Sequence, residues 1–320
     1  MRIWDIHVHF PRNFQNPDAD PQAAVDHLAE RLRETHVVKA SLLCGGRFGL
    51  THERSIEMAM KHEDLFVPHA VVDPEETTYE RIHELKRVGY RGLKIIGPRR
   101  PYDSRDYFPV YRAAEELDMP ILFHCGVIGG GMDLLAHHPR RDPQSARRMR
   151  EMEANAERMR RQAEEAAREG RPLPQPAGGA ALSRARGPRE TSATYMRPFH
   201  LETIANRFPR LKIIGAHLGG TGNYDETASV ARWRRWVFFD MSGGRTIERH
   251  AVERGLIGKE IPIEKLIFGS DCAADEIHEH VERFIEIFDG LGLTEEEKDV
   301  LWYRNAAELF GLEEPVWAAE

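Results

Sequence analysis

The sequence predicts an α/β fold, a (β/α)8 barrel, from three observations. Short apolar runs alternate with longer amphipathic stretches, the runs number eight, and they recur at intervals of about 30 residues, the length of a strand, a crossover helix and their loops. An open doubly wound sheet commonly has five or six strands, so the count favours closure. The chain has 320 residues, more than the ~250 typical of such a barrel. A single domain spanning 1–320 with one insertion is therefore expected.

The candidate strands, in order, are Ile3 to Val8, Val37 to Leu43, Phe66 to Val72, Gly92 to Ile96, Ile121 to His124, Leu211 to Ala216, Val237 to Asp240 and Leu266 to Ser270. Each is rich in Val, Ile, Leu or Phe, as strands buried on both faces require. Between them the 3.6-residue period predicts helices over Gln22 to Glu34, Glu75 to Val88, with Gly89 placed to stop it, and Phe108 to Leu117. The interval between the fifth and sixth strands is far longer than any other and holds the insertion, residues 132–191. Its first half is amphipathic, with Met149, Met152, Ala156, Met159, Ala163 and Ala166 at alternating three and four spacing; its second half is rich in Pro, Gly, Ala and Arg. Two readings stand, a lid or subunit contact at the active-site end, and a solvated helical excursion.

Composition narrows the function classes. With 41% hydrophobic and 30% charged residues and a formal charge of −7, the chain lacks the concentrated basic face that a nucleic-acid binder needs. Cys44, Cys125 and Cys272 are odd in number, widely spaced and without a CxxC, which fits a reducing compartment. No stretch of ~18 apolar residues and no charged leader is present, so a cytoplasmic protein without membrane contact is expected.

The chemistry is concentrated at strand ends. In DIHVH, His7 and His9 are two residues apart and project to one face at the carboxyl end of the first strand, the active-site end of a barrel. Asp5 is expected on that face one layer deeper, where it could orient a ligand. An HxH pair alone is weak evidence, but three more strands end alike: ILFHCG places His124, IIGAHLGG places His217 and LIFGSDCA places Asp271. Imidazole and carboxylate are ligands suited to zinc and related divalent ions, and a catalytic site leaves one coordination position open. Cys125 and Cys272, as neighbours of inward residues, are expected to face the surrounding helices as inert thiols. His137, His138, His250, His278 and His280 lack a strand-end context and are read as surface residues.

With DIHVH, FHCG, YMRPFHLETIANRFPRLKIIGAHLGG, FGSD and WYRNAAELFGL in this order, the chain resembles the amidohydrolase superfamily. Within it the resemblance is to the amidohydrolase-2 branch, which contains aminocarboxymuconate semialdehyde decarboxylase, related aromatic acid decarboxylases and several lactonases. It covers nearly the whole chain apart from the insertion. It implies His7, His9, His124 and Asp271 as ligands of one divalent ion, zinc or else manganese, with His217 beside the metal. It further implies that the ion lowers the pKa of a water, that Asp271 takes its proton, and that His217 stabilises the oxyanion or passes a proton to the leaving group.

Lys94, in RGLKIIG, lies where two-metal members of the superfamily carry a carboxylated lysine. A second ion is expected if Lys94 is so modified; otherwise Lys94 is a substrate-contacting or structural cation. Arg47, in CGGRFG, is a loop residue that could bind a substrate carboxylate or simply be solvated. The expected activity is a metal-dependent hydrolase acting on an amide or lactone of a small carboxylated or cyclic substrate. Decarboxylation of an aromatic or unsaturated acid is the close alternative, and a non-catalytic metal-binding protein a third. Decarboxylases of the branch commonly follow the aspartate with an aromatic residue and proline, whereas Cys-Ala-Ala follows Asp271. A small-molecule substrate is the expected partner, in a homo-oligomer, a dimer or higher.

Overall fold

In the computed structural model the described residues are 1–11, 20–45, 50–129 and 191–312, with six helical positions at Arg150, Ala154, Glu157, Arg161, Glu165 and Arg168. The insertion expected at 132–191 therefore falls almost wholly outside the described residues. Eight strands run in sequential order: β1 Ile3–His9, β2 Val37–Cys44, β3 Phe66–Val72, β4 Gly92–Ile95, β5 Ile121–Phe123, β6 Ile213–Gly215, β7 Val237–Asp240 and β8 Leu266–Ile267. Each pairs in parallel with the next. Closure between β8 and β1 comes from backbone bonds outside the ladders. The Ile6 N–H donates to Phe268 O at 3.1 Å, and the Asp271 N–H donates to His7 O at 2.8 Å. The architecture is the (β/α)8 barrel that the sequence predicts.

Helices α1 Pro21–Glu34, α2 His52–Ala59, α3 Tyr79–Val88, α4 Phe108–Glu116, α5 Pro198–Arg207, α6 Tyr224–Trp233, α7 Arg245–Glu253 and α8 Ile277–Gly290 surround the strands. Their apolar stripes, such as Val25, Leu28, Ala29 and Leu32 of α1, pack with Ile3, Val8, Ala40 and Leu42 in one outer layer. Gly89, at φ +119, ends α3 as expected. The helix starts at Tyr79 rather than Glu75, because Thr78 caps it by accepting from the Arg81 N–H at 3.2 Å. Glu75 instead accepts from the Arg99 N–H at 2.7 Å. Among the described residues no helix is long and apolar enough to cross a membrane.

A separate cluster fills the barrel: Trp4, Ile6, Leu43, Leu122, Ile214, Phe238 and Ile267, joined by Ala306, Ala307 and Leu309 of the closing helix Asn305–Leu309. Phe310 seals the end opposite the site by stacking on Trp4, with ring centroids 4.9 Å apart. A bulge in β1 decides which residues face this interior. Asp5 opposes Ala40 and Val8 opposes Leu42, so three steps on β1 match two on β2. Trp4 and Ile6 point inward before the bulge, Val8 points outward after it, and His7 and His9 turn inward.

The bulge corrects the expectation for Asp5, which sits on the opposite face from His7. Its Oδ1 accepts from the backbone N–H groups of His7 at 3.1 Å and Ser270 at 2.9 Å. It steadies the two backbones that carry His7 and Asp271. His280 is also corrected: it is buried, its Nδ1 3.1 Å from Glu248 Oε1, and it packs on Phe268 and Phe284. Cys125 packs in the outer layer and Cys272 against it, as expected; burial pushes both thiols up to about 12.

His69 stands in the barrel interior above Phe310, fully buried, with neither ring nitrogen hydrogen-bonded. Only a glycine fits beside it on β4, since a Cβ at Gly92 would lie 1.8 Å from His69 Cδ2. Burial, reinforced by the Lys94 charge, pushes its pKa down to about 3 from 6.5. The unfolded chain binds this proton between those values and the folded chain does not, so stability falls as pH drops through that window. Replacing His69 by Leu should flatten the decline of unfolding free energy between pH 6 and 4 by about one proton, about 1.4 kcal/mol per pH unit. Urea titrations across that range check this; an unchanged slope contradicts it.

Candidate metal and active site

β1, β5, β6, β7 and β8 each deliver a polar side chain to one mouth of the barrel. A glycine follows within three residues of His124, His217 and Asp240 and one precedes Asp271, and these glycines have a steric purpose. Gly126 follows β5 at φ +81 and Gly220 follows β6 at φ +87. A Cβ on Gly220 would lie 2.5 Å from Gly126 Cα, so the two turns touch backbone to backbone. This contact sets His124 beside His217, with His124 Nδ1 3.1 Å from His217 Nε2. Gly269 acts likewise just beyond β8, where a Cβ would lie 3.0 Å from His7 Cβ and 3.4 Å from Asp240 Cβ.

Three non-glycine residues here have left-handed backbones: His217 at φ +61, Leu218 at φ +50 and Asp271 at φ +49. Such conformations cost of order 1–3 kcal/mol each and persist only where neighbours enforce them. The enforcing bonds are the His217 N–H to Asp240 Oδ1 at 2.9 Å and the Asp271 N–H to His7 O at 2.8 Å.

Asp271 is thereby held among three imidazoles. Its Oδ1 is 3.1 Å from His9 Nε2 and 3.7 Å from His7 Nε2, and its Oδ2 is 3.9 Å from His217 Nε2. His7 is buried, while the side chains of His9 and Asp271 are 37% and 25% exposed, so the cluster meets solvent on that side. Lys94, buried on β4, places Nζ 3.3 Å from His7 Nε2. The structure thus brings together His7, His9, His124, His217, Asp271 and Lys94. Arg47, His137 and His138 lie outside the described residues.

Two residues that the sequence reading passed over complete the arrangement. Asp240, fully buried at the end of β7, lies with Oδ2 2.8 Å from His7 Nδ1. Its Oδ1 accepts from the His217 N–H, from the Ser242 N–H at 3.0 Å and from Ser242 Oγ at 2.6 Å. The signal was present: VFFDMSGG carries the same Asp-then-small pattern as the other strand ends.

The protonation states follow from these surroundings. Burial and the nearby Lys94 charge push His7 down to about 4, and burial with the His217 and Lys94 charges pushes His124 well below the usual imidazole range. Burial alone would raise Asp271, but His7, His9 and His217 hold it well below the usual carboxylate range. Asp240 is likewise lowered against burial, by His7 first. At neutral pH His7 and His124 are neutral and both aspartates are ionised, the state in which these groups bind cations.

Two groups of donors are close enough to hold an ion, with all donor atoms in each within 4.8 Å: His7, His9 and Asp271, and His7, His217 and Asp240. The second has the Ser242 hydroxyl in its midst, 3.1 Å from His7 Nδ1 and 2.9 Å from His217 Nδ1. The first is open to solvent on the His9 side. His124 adds a buried Nε2 with no hydrogen-bond partner, an orphaned nitrogen whose lone pair a metal would satisfy. The residues fit a divalent cation.

The family model described as Amidohydrolase matches residues 4–312. No curated protein matches the chain. Among solved structures, the probable 2-pyrone-4,6-dicarboxylic acid hydrolase of Acinetobacter baumannii, with citric acid bound, is 16% identical at TM-score 0.57, covering 97% of this chain and 100% of that one. The 5-carboxyvanillate decarboxylase of Novosphingobium aromaticivorans, complexed with manganese, is 14% identical at TM-score 0.55, covering 97% and 96%. The 2,6-dihydroxybenzoate decarboxylase of Rhizobium is 16% identical at TM-score 0.52, covering 97% and 99%.

Replacing Gly220 by Ala should cost at least about 2 kcal/mol, since it adds a backbone clash to the left-handed penalty. Gly222→Ala, at φ +94 with nothing within 4 Å of the added Cβ, should cost only about 1 kcal/mol. Equal losses in urea denaturation would show that the β5–β6 contact does not constrain the site.

Proposed function

The chain belongs to the amidohydrolase family, and on that premise we propose a metal-dependent hydrolase acting on an amide or lactone of a small carboxylated or cyclic substrate. The observation that carries this reading is the ionised Asp271 set between His9 Nε2 and His217 Nε2. His7, His9, His124 and Asp271 would hold the ion. A divalent ion there supplies Lewis acidity and brings the pKa of a water toward neutrality.

Asp271, ionised and so able to accept, takes the proton of the attacking water. His217, on the far side of the carboxylate, takes that proton at Nε2 from Asp271 and with it stabilises the developing oxyanion or hands the proton to the leaving group. Lys94 supplies a buried positive charge for a substrate carboxylate. The ionised Asp271 is an acceptor, which suits activation of water better than delivery of a proton to carbon.

We propose one ion, zinc or manganese, because the Ser242 hydroxyl stands in the middle of the second donor group. Carboxylation of Lys94 would reopen the two-metal alternative. Decarboxylation remains the second reading of the reaction; the two decarboxylases among the structural neighbours, at their low identity, speak for the fold alone.

Incubating the zinc-loaded or manganese-loaded protein with lactones, amides and aromatic carboxylic acids should yield ring-opened or cleaved acids without carbon dioxide. Carbon dioxide release would replace hydrolysis by decarboxylation. His217→Asn should retain about one equivalent of zinc by elemental analysis while turnover falls about 100-fold; loss of the zinc would support the two-metal form.

A further inference from the structure

We propose that Ser242 is a positioning residue that sets which nitrogen of His217 carries its proton, and through His217 which nitrogen of His124. The inference rests on the metal-site reading above. Ser242 is fully buried two residues beyond the end of β7 and follows Asp240 in facing the barrel. Its Oγ lies 2.6 Å from Asp240 Oδ1, 2.9 Å from His217 Nδ1 and 3.1 Å from His7 Nδ1.

The direction of each bond is fixed by elimination. Asp240 Oδ1 already faces two backbone N–H groups, of His217 and Ser242, which can only donate. Oδ1 is therefore an acceptor, and the single hydroxyl proton of Ser242 must point to it. With that proton committed, Ser242 Oγ can only accept from His217, so His217 carries its proton on Nδ1. Nε2 of His217 then holds a lone pair, and His124 Nδ1, 3.1 Å away, donates into it. Neutral His124 is left with an unprotonated Nε2, the buried nitrogen that has no partner. His7 is directed from the same place, its Nδ1 proton going to Asp240 Oδ2 at 2.8 Å. Its Nε2 lone pair accepts from Lys94 at 3.3 Å.

The chain of consequence is Asp240, Ser242, His217, His124. Without the hydroxyl, His217 Nδ1 loses its acceptor, and the proton can move to Nε2 and be donated to His124 Nδ1. His124 must then protonate Nε2, the atom offered to the ion. Gly243 makes room for this: a Cβ there would lie 3.1 Å from His217 Nδ1, and its absence lets the ring sit against Ser242.

The test uses the full chain labelled with 15N-histidine, read by long-range proton–nitrogen spectra with and without one equivalent of zinc, and zinc affinity by chelator competition. Wild type and Ser242→Thr should carry the His217 proton on Nδ1. Ser242→Ala should carry it on Nε2 and bind zinc about tenfold more weakly. If Ser242→Ala does not fold, Ser242→Cys keeps the volume with a weak hydrogen-bonding thiol and should shift the same signals. Wild type that binds zinc, with Nδ1–H retained on His217 in the Ala or Cys variant, overturns the Ser242 proposal alone. Failure of wild type to bind zinc, or wild-type affinity in His7→Ala, overturns the metal-site reading and the proposal with it.

Discussion

The buried carboxylate of Asp240 is the constraint on which the rest of the mouth depends. A charge removed from water is tolerated only when fully hydrogen-bonded, and Asp240 is satisfied by His7 Nδ1, Ser242 Oγ and the backbone N–H groups of His217 and Ser242. Those four donors come from β1, from the turn after β6 and from the segment after β7. One carboxylate therefore fixes the His7 ring, the strained His217 backbone and the β7 exit together. It also accounts for His7 presenting Nε2 to Asp271 and Lys94, since Nδ1 is already committed.

The approach of the strands is a second condition, set by absent side chains. Gly126 and Gly220 allow β5 and β6 to touch, and Gly269 lets β8 close on β1 and β7. Packing of this kind converts the cost of left-handed backbone at His217 and Asp271 into a fixed placement of their side chains. The residues that bring the histidines together are thus as much a part of the site as the histidines.

The strand order and the positions of His7, His9, His124, His217 and Asp271 were legible in the sequence, because apolar runs buried on both faces are distinctive and polar residues at their carboxyl ends have few structural uses. The facing of Asp5 was not legible. Period-two alternation assigns it to the His7 face, but a bulge between Asp5 and Val8 breaks that period, and nothing in DIHVH announces it. Asp240 was legible and was missed, since it ends a strand and precedes small residues as Asp271 does. Glu75 falls within the helical period of the segment that follows it, whereas its bond to the Arg99 N–H and the Thr78 cap put the helix start later. His280 looked like a surface histidine because its burial depends on Glu248 and Phe268, distant in sequence.

The proposed function requires a single open cation site built from histidine and aspartate, with Ser242 filling the neighbouring donor group. X-ray absorption at the zinc edge of the loaded protein tests this most directly. It should report nitrogen and oxygen neighbours at about 2.0–2.2 Å with imidazole scattering, and no metal–metal distance near about 3.5–4 Å. A metal–metal vector in that range, or a sulfur shell near about 2.3 Å, would contradict it.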